Sequence, residues 1–521
     1  MFQEALLPAV CVMTSAEEAT RKPIHKLGSP VRVKASLSFV LILLFVAGAA
    51  SLSSAQANGQ QALTTTQLAA WLTGGISSAR LAQLTSEHGL ANLPTQRELQ
   101  QLESAGAGKD LLRVAGSGNA LSAQIGPGVP SDLLKAAAEM RQQHAHQAEL
   151  LLRKLVDSDP GNTALHFALG IVLRQQEQWD DSYDELAAAL RLMPGLAENH
   201  SAIAYLFYRI DDGPNAIAEA RTALSIDPKN SEAYQYLGLG HYSLGQYEAA
   251  VNAYSESLAH DRDNPDTYYD MGIALHAAGD VPRAITAYEQ AIRLRPGFWE
   301  AHSNLGLIRH EQGNLAEAVS EYKHAKRIAP TEASVRNNLG NTYCDAGDFN
   351  AAIQELRELY REHPEWQQGH TCLASDYMAK QDYGAAVEEL RLAARLNPTG
   401  AAEHRVLGQA LMLDNKPEEA ARELRIAVQL NPDSDIAHHL LGTVLFQQQE
   451  LHAAEKEFRE ALRANASADN HYSLAACLMS MDRYGEALSE LELAARLDPE
   501  RTLYRARREE LLKLMKETHS R

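Results

Sequence analysis

The stretch WEAHSNLGLIRHEQGNLAEAVSEYKHAKRIAP, residues 299–330, decides the fold. Apolar residues recur at helical spacing from Glu300 to His310 and again from Glu317 to Ile328. Between them Glu311-Gln312-Gly313-Asn314 breaks the pattern, with Gly313 as the stop signal of the first helix. Pro330 ends the second helix, because a proline disfavours helical geometry in the residue before it. The stretch therefore predicts a helix–turn–helix hairpin. Gly306 and Ala318 lack bulk where the two helices meet, so the backbones can come close. Such a hairpin cannot bury its apolar side alone. Stacked neighbours bury it, and the stack is a solenoid.

Outward from this stretch the same marks return every 34 residues. Pro160, Pro194, Pro228, Pro296, Pro330, Pro364, Pro398 and Pro432 share one phase, interrupted only by Arg262 and Ala466. Pro499 arrives one residue early, which marks a single deletion in the last repeat. A small-residue column stands twelve residues before these marks: Ala148, Ser182, Ala216, Ala250, Ala284, Ala318, Ala352, Ala386, Ala420, Ala454 and Ala487. A third column holds Gly170, Ala204, Gly238, Gly272, Gly306, Gly340, Ala374, Gly408, Gly442 and Ala475.

These columns resemble the tetratricopeptide repeat (TPR) family. Ala301-His302-Ser303-Asn304-Leu305-Gly306, then Gly313, Ala318, Tyr322, Ala325 and Pro330, match the family pattern. The resemblance covers residues 131–499 in eleven repeats, the first of them degenerate, as a cap would be. It implies an all-α superhelical solenoid and a protein-binding role. The departure is a histidine where the family carries a large aromatic, at His166, His200, His302, His370, His404 and His438. We read these as packing residues. They stand on different helices, whereas a metal needs ligands converging on one point.

The flanks divide further. Residues 1–57 read as a secretory signal. Arg21, Lys22, Lys26, Arg32 and Lys34 precede an apolar run at 36–50, and Ala55-Gln56-Ala57 fits a cleavage site. This predicts an exported, periplasmic protein of bacterial type. The alternative is a membrane anchor formed by residues 36–50, with the array outside the cytoplasm. Residues 58–116 predict a small helical module, with helices over Leu63–Leu72, Ser77–His88, Gln96–Ser104 and Asp110–Val114. Residues 117–130 read as a flexible Gly/Ser/Ala/Pro linker. Residues 500–521 predict a capping helix that packs through Leu503, Leu511, Leu512 and Met515.

Composition excludes several classes. A net charge of −19 argues against nucleic-acid binding, which needs a basic face. Four cysteines in 521 residues are too few for a disulfide scaffold. Cys344, Cys372 and Cys477 are read as buried thiols. No H-E-x-x-H, G-x-S-x-G or G-x-G-x-x-G motif is present. The expectation is a non-enzymatic chain without catalytic residues, metal or other cofactor.

What remains is a surface. In TPR proteins the first helix of each hairpin lines an inner groove, and the resemblance places Tyr205, Tyr208, Tyr242, Tyr269, His276 and His310 there. Asn337, Asn338 and Asn341 follow, with Asn304 one repeat before Asn338. Amides both donate and accept, so a row of them can hold the backbone of an extended peptide whatever its side chains. Glu198, Glu232, Asp266 and Glu300 share a further column, an acidic ridge that favours a peptide with Lys or Arg. Two functions follow as expectations. One is a scaffold that holds peptide or helical segments of other proteins within an envelope assembly for secretion, pilus formation or polysaccharide export. The other is an accessory subunit of an enzyme complex, with a specific role in residues 58–116.

Overall fold

The computed structural model describes residues 62–117, 120–122, 128–364 and 367–519. The expected signal or anchor at 1–57 lies outside them. Among the described residues there are twenty-seven helices and two short strands. Eleven helix pairs run from Ser131–Arg141 with Ala145–Ser158 to Ala468–Ser480 with Tyr484–Leu497. In the first pair an 11-residue helix meets one of 14, and in the second and third pairs a 13-residue first helix meets a 14-residue second helix. The chain is an all-α solenoid of TPR-type hairpins. It divides into two compact units, described residues 62–301 and 302–519.

Within a hairpin, the glycine column is the point of closest approach. A methyl group on Gly238 would stand 2.4 Å from the Tyr254 ring, and one on Gly340 would stand 2.3 Å from Leu356. Gly272 faces Tyr288 and Gly442 faces Phe458 in the same way, each at 2.7 Å. Gly306 is looser, with its nearest Tyr322 atom at 3.1 Å. The partner always comes from the second helix, sixteen residues on, and lies flat against the glycine. Hairpin 197–226 reverses the sizes, pairing the Ala204 position with Ala220, both fully buried. In the alanine column Ser182 is the exception, and its Oγ donates to the Gly170 carbonyl at 2.7 Å.

Each hairpin reverses through one residue in the left-handed region. In four it is glycine: Gly245, Gly279, Gly313 and Gly347. In the other seven it is Gln143, Glu177, Asp211, Gln381, Asn415, Gln449 or Asp482, with φ between 57° and 63°. A side chain there costs roughly 1–2 kcal/mol, so packing of the two helices must impose the turn.

The histidine column fastens the hairpins. His166 Nδ1 lies 2.6 Å from Glu185, and His200, His302, His370, His404 and His438 meet Glu219, Glu321, Glu389, Glu423 and Glu457 at 2.7 Å. His471 joins them with Glu490 at 2.6 Å, one position early because of the deletion. In four hairpins Nε2 also reaches the carbonyl that opens the helix, from Pro160, Pro364, Pro398 and Pro432, at 3.0–3.2 Å. A carbonyl oxygen only accepts, so Nε2 carries a proton. The glutamate carboxylate faces the other ring nitrogen, Nδ1. These are packing residues, as expected, with a side-chain contact to glutamate added.

Residues 62–117 form helices Thr65–Thr73, Ser78–His88, Gln96–Ala105 and Lys109–Gly116, close to the expected spans. The 117–130 segment is corrected in part. Ala120–Ser122 is a strand that pairs in parallel with Leu90–Asn92. The module shares one apolar core with the first hairpins, running from Leu63 to Ala216. Gly74 approaches Phe167 so closely that a Cβ would stand 2.8 Å from its ring. At the other terminus, helix Thr502–His519 packs on the last hairpin through fully buried Tyr504 and Leu511. Leu503 faces solvent instead, because the Tyr504 hydroxyl donates to Asp469 at 2.7 Å and sets the helix rotation.

Two outcomes are expected. Gly238→Ala should cost about 1–3 kcal/mol by overpacking, and Gly306→Ala less; equal urea midpoints for the two variants would contradict the close-approach account. Glu185 raises the His166 pKa by hydrogen bonding, against burial. The stabilisation from this pair is therefore complete below the ordinary imidazole value of 6.5 and falls as pH rises through the higher folded value. Urea unfolding of the parent should weaken across that window, and Glu185→Gln should flatten the dependence.

Candidate functional site

Within each unit, the first helices of successive hairpins touch one another, as 197–209 does 231–243 and 401–413 does 435–447. The second helices make no comparable contact. First helices therefore form the inner face of each unit.

In residues 62–301 this face is aromatic and polar. Tyr205 is half-buried, 5.4 Å from Tyr236 and 6.3 Å from Tyr208, with the Arg174 guanidinium over its ring at 4.7 Å. Tyr208, Tyr242 and His276 are also half-buried. Burial pushes the Tyr242 phenol up to about 12 and Tyr208 higher still, with Asp270 adding to both. Tyr269 departs from expectation. It is 2% exposed, packed against Phe298 at 4.8 Å and Tyr288 at 5.9 Å, and belongs to the core.

The expected acidic ridge is largely neutralised from within. Glu198 is buried and receives Arg80 Nε from the N-terminal module at 2.7 Å. Arg80 also reaches Asp227 at 3.3 Å. Burial works against its charge, but Glu198 and Asp227 outweigh that and hold its pKa above the ordinary value. Asp266 takes a two-pronged pair of hydrogen bonds from Arg295, at 2.9 and 2.6 Å. Glu300 is 1% exposed, inside the fold. Glu232 is the most exposed of the four. Dehydration raises its pKa, Arg174 opposes this, and Glu198 and Asp261 add to it. The column spacing is right, but arginines from elsewhere in the unit occupy it.

Asp270 was not legible as a site residue. It is buried, accepts from Gln235 Nε2 at 2.8 Å, and is pushed up to about 7 by burial, with Asp266 adding to the shift. Its signal in the sequence is an acid beside the glycine column, two residues before Gly272.

In residues 302–519 the inner face carries the amides. Asn337 Oδ1 accepts from the Tyr360 hydroxyl at 2.6 Å and is committed to the hairpin. The Asn338 side chain is half-buried and makes no hydrogen bond among the described residues. Asn341 is half-buried too, and its Oδ1 is shielded from water without a hydrogen-bond partner. These two amides stand three residues apart, on one side of helix 333–345. Asn304 is 1% exposed and sits in the core rather than the row. His310 Nε2 meets Asp345 at 2.6 Å, which fixes the ring. The thiols also differ from expectation. Cys477 is buried, Cys344 is half-buried, and Cys372 is exposed because it holds the inner-face register of Asn338. Asp376 is fully buried where the two preceding repeats carry Ile308 and Thr342 and the two that follow carry Ala410 and Val444. Burial pushes it up to about 6, and neither carboxylate oxygen has a hydrogen-bond partner among the described residues.

A tetratricopeptide repeat model matches residues 133–197, 269–333, 373–435 and 439–502, and a TPR repeat model matches 238–279. Together they span more than half of the chain. No curated protein sequence matches it. Among solved structures, YrrB, described as a TPR protein with an unusual peptide-binding site, is 16% identical over 36% of this chain and 97% of its own, with a TM-score of 0.34. The C-terminal part of a TPR repeat-containing protein from Cytophaga hutchinsonii is 15% identical over 46% of this chain and 99% of its own, with a TM-score of 0.42. Pseudomonas aeruginosa pilF is 20% identical over 39% and 92%, with a TM-score of 0.36. The period, the hairpins and the two repeat models agree, and the chain belongs to the tetratricopeptide repeat family.

Proposed function

We propose that this chain is a non-enzymatic scaffold that holds peptide or helical segments of other proteins on its inner faces, as part of an exported, envelope-associated assembly. The repeat family supports the protein-binding part of this reading. The observation that carries the site is the Asn338–Asn341 pair, above all the shielded Asn341 Oδ1 that no described residue satisfies. A buried acceptor without a donor is costly, and a backbone N–H of a bound segment supplies that donor. The apolar run at 36–50 behind five basic residues supports export, with anchoring by the same run as the alternative. The neutralised ridge removes the argument for a basic peptide, so backbone recognition carries the binding.

A second reading gives the N-terminal module a docking role, and one observation favours it. Arg80 leaves its own module to bridge Glu198, at the start of helix 197–209, and Asp227, which ends helix 213–226 of the same hairpin. The module thereby acts as a resident partner of the inner helices in its own unit.

The double variant Asn338→Ala, Asn341→Ala should lower crosslinking yield to the native partner in cells while leaving far-ultraviolet circular dichroism intact. Unchanged yield removes both residues from the site. Arg80→Ala leaves the Glu198 carboxylate buried and unpaired, at a cost of about 3–5 kcal/mol, and should raise amide hydrogen exchange over 62–117. Unaltered exchange would show that apolar packing alone docks the module.

A further inference from the structure

The inner helices of residues 401–480 carry a chemistry that differs from both the tyrosines and the amides. Arg405 occupies the register of Asn337, two repeats later, and is half-buried. It makes no ion pair and no hydrogen bond with any described residue. Among the arginines of this unit, Arg336 is paired with Glu362 at 2.7 Å, Arg483 with Glu455 at 2.7 Å, and Arg501 with Asp469 at 2.6 Å. Burial lowers the Arg405 pKa, and only Asp435 opposes it. That carboxylate accepts from Asn465 Nδ2 at 2.8 Å and does not close on the guanidinium.

Apolar side chains share this inner face with Arg405. Met412 follows it by seven residues, on the same side of the helix. Phe446 and Met479 hold the same register in the next two hairpins, and all three are half-buried. Ile436, at the start of the middle helix, is 51% exposed. Helices 401–413, 435–447 and 468–480 touch in sequence, so these side chains share one face. Unbranched thioethers adapt to varied apolar shapes. A partner that covers this face dehydrates Arg405 further, and an unpaired buried charge is heavily penalised. The partner must therefore bring an anion.

Resting on the reading of the inner face as a partner surface, we propose that repeats nine to eleven dock an apolar segment of another protein that bears an Asp or Glu side chain. Arg405 receives the carboxylate, and Met412, Ile436, Phe446 and Met479 receive the apolar side chains. This is a different specificity from backbone capture at Asn338 and Asn341.

The test is selection of a random peptide library displayed on phage against the full chain, its Arg405→Gln variant and its Arg405→Lys variant. Parent and Arg405→Lys should enrich apolar peptides that contain Asp or Glu, and Arg405→Gln should lose the acidic preference. For a selected peptide, replacing its Glu by Gln should weaken binding to the parent about tenfold or more, the scale of a charged hydrogen bond, and leave binding to Arg405→Gln unchanged. Ile436→Ser should weaken both peptides. Matching circular dichroism melts keep folding out of the comparison. Enrichment of basic peptides, no enrichment, or equal affinity for the Glu and Gln forms overturns the proposal. If it falls while crosslinking still depends on Asn338 and Asn341, the broader scaffold reading stands.

Discussion

The structure depends on how close two helices of one hairpin can come. Glycine at Gly238, Gly272, Gly340, Gly408 and Gly442 lets a ring or leucine from the second helix lie against bare backbone. That contact fixes the crossing of the pair. The crossing in turn decides which side of each first helix faces its neighbour and which is left for partners. Left-handed turns at seven non-glycine residues are held against their own preference by the same packing.

The fold was legible because it is written in spacing. Prolines, alanines and glycines on one 34-residue ruler give helix ends, contact points and hairpin count without three-dimensional information. The short strands were not legible. Three residues in Ala120–Ser122 are too few to alternate visibly, and their pairing with Leu90–Asn92 is set by how the module closes on itself. The Leu503 expectation failed for a related reason. Periodicity gives the apolar side of an isolated helix, whereas Tyr504 and its bond to Asp469 decide the docked one.

The site was legible in register but not in partners. Counting from the glycine column places Tyr205, Tyr208, Tyr242 and Asn341 on inner helices, where they are found at intermediate exposure. It cannot say that Tyr269 turns inward onto Phe298, or that Asn337 is already taken by Tyr360. The acidic column shows the limit best. Its members sit as counted, but Arg80 arrives from 118 residues away to cover the first. No local pattern announces such a pairing.

The histidine clasp has a consequence for how the array could have grown. His438 bonds only to Glu457 of its own hairpin and to the Pro432 carbonyl that leads into it. His471 keeps its nineteen-residue distance to Glu490 although the link before it is one residue short. The fastening is thus private to a cassette. Genes that duplicate or lose one such block would leave no clasp half-made, and length could drift while every surviving hairpin stays shut.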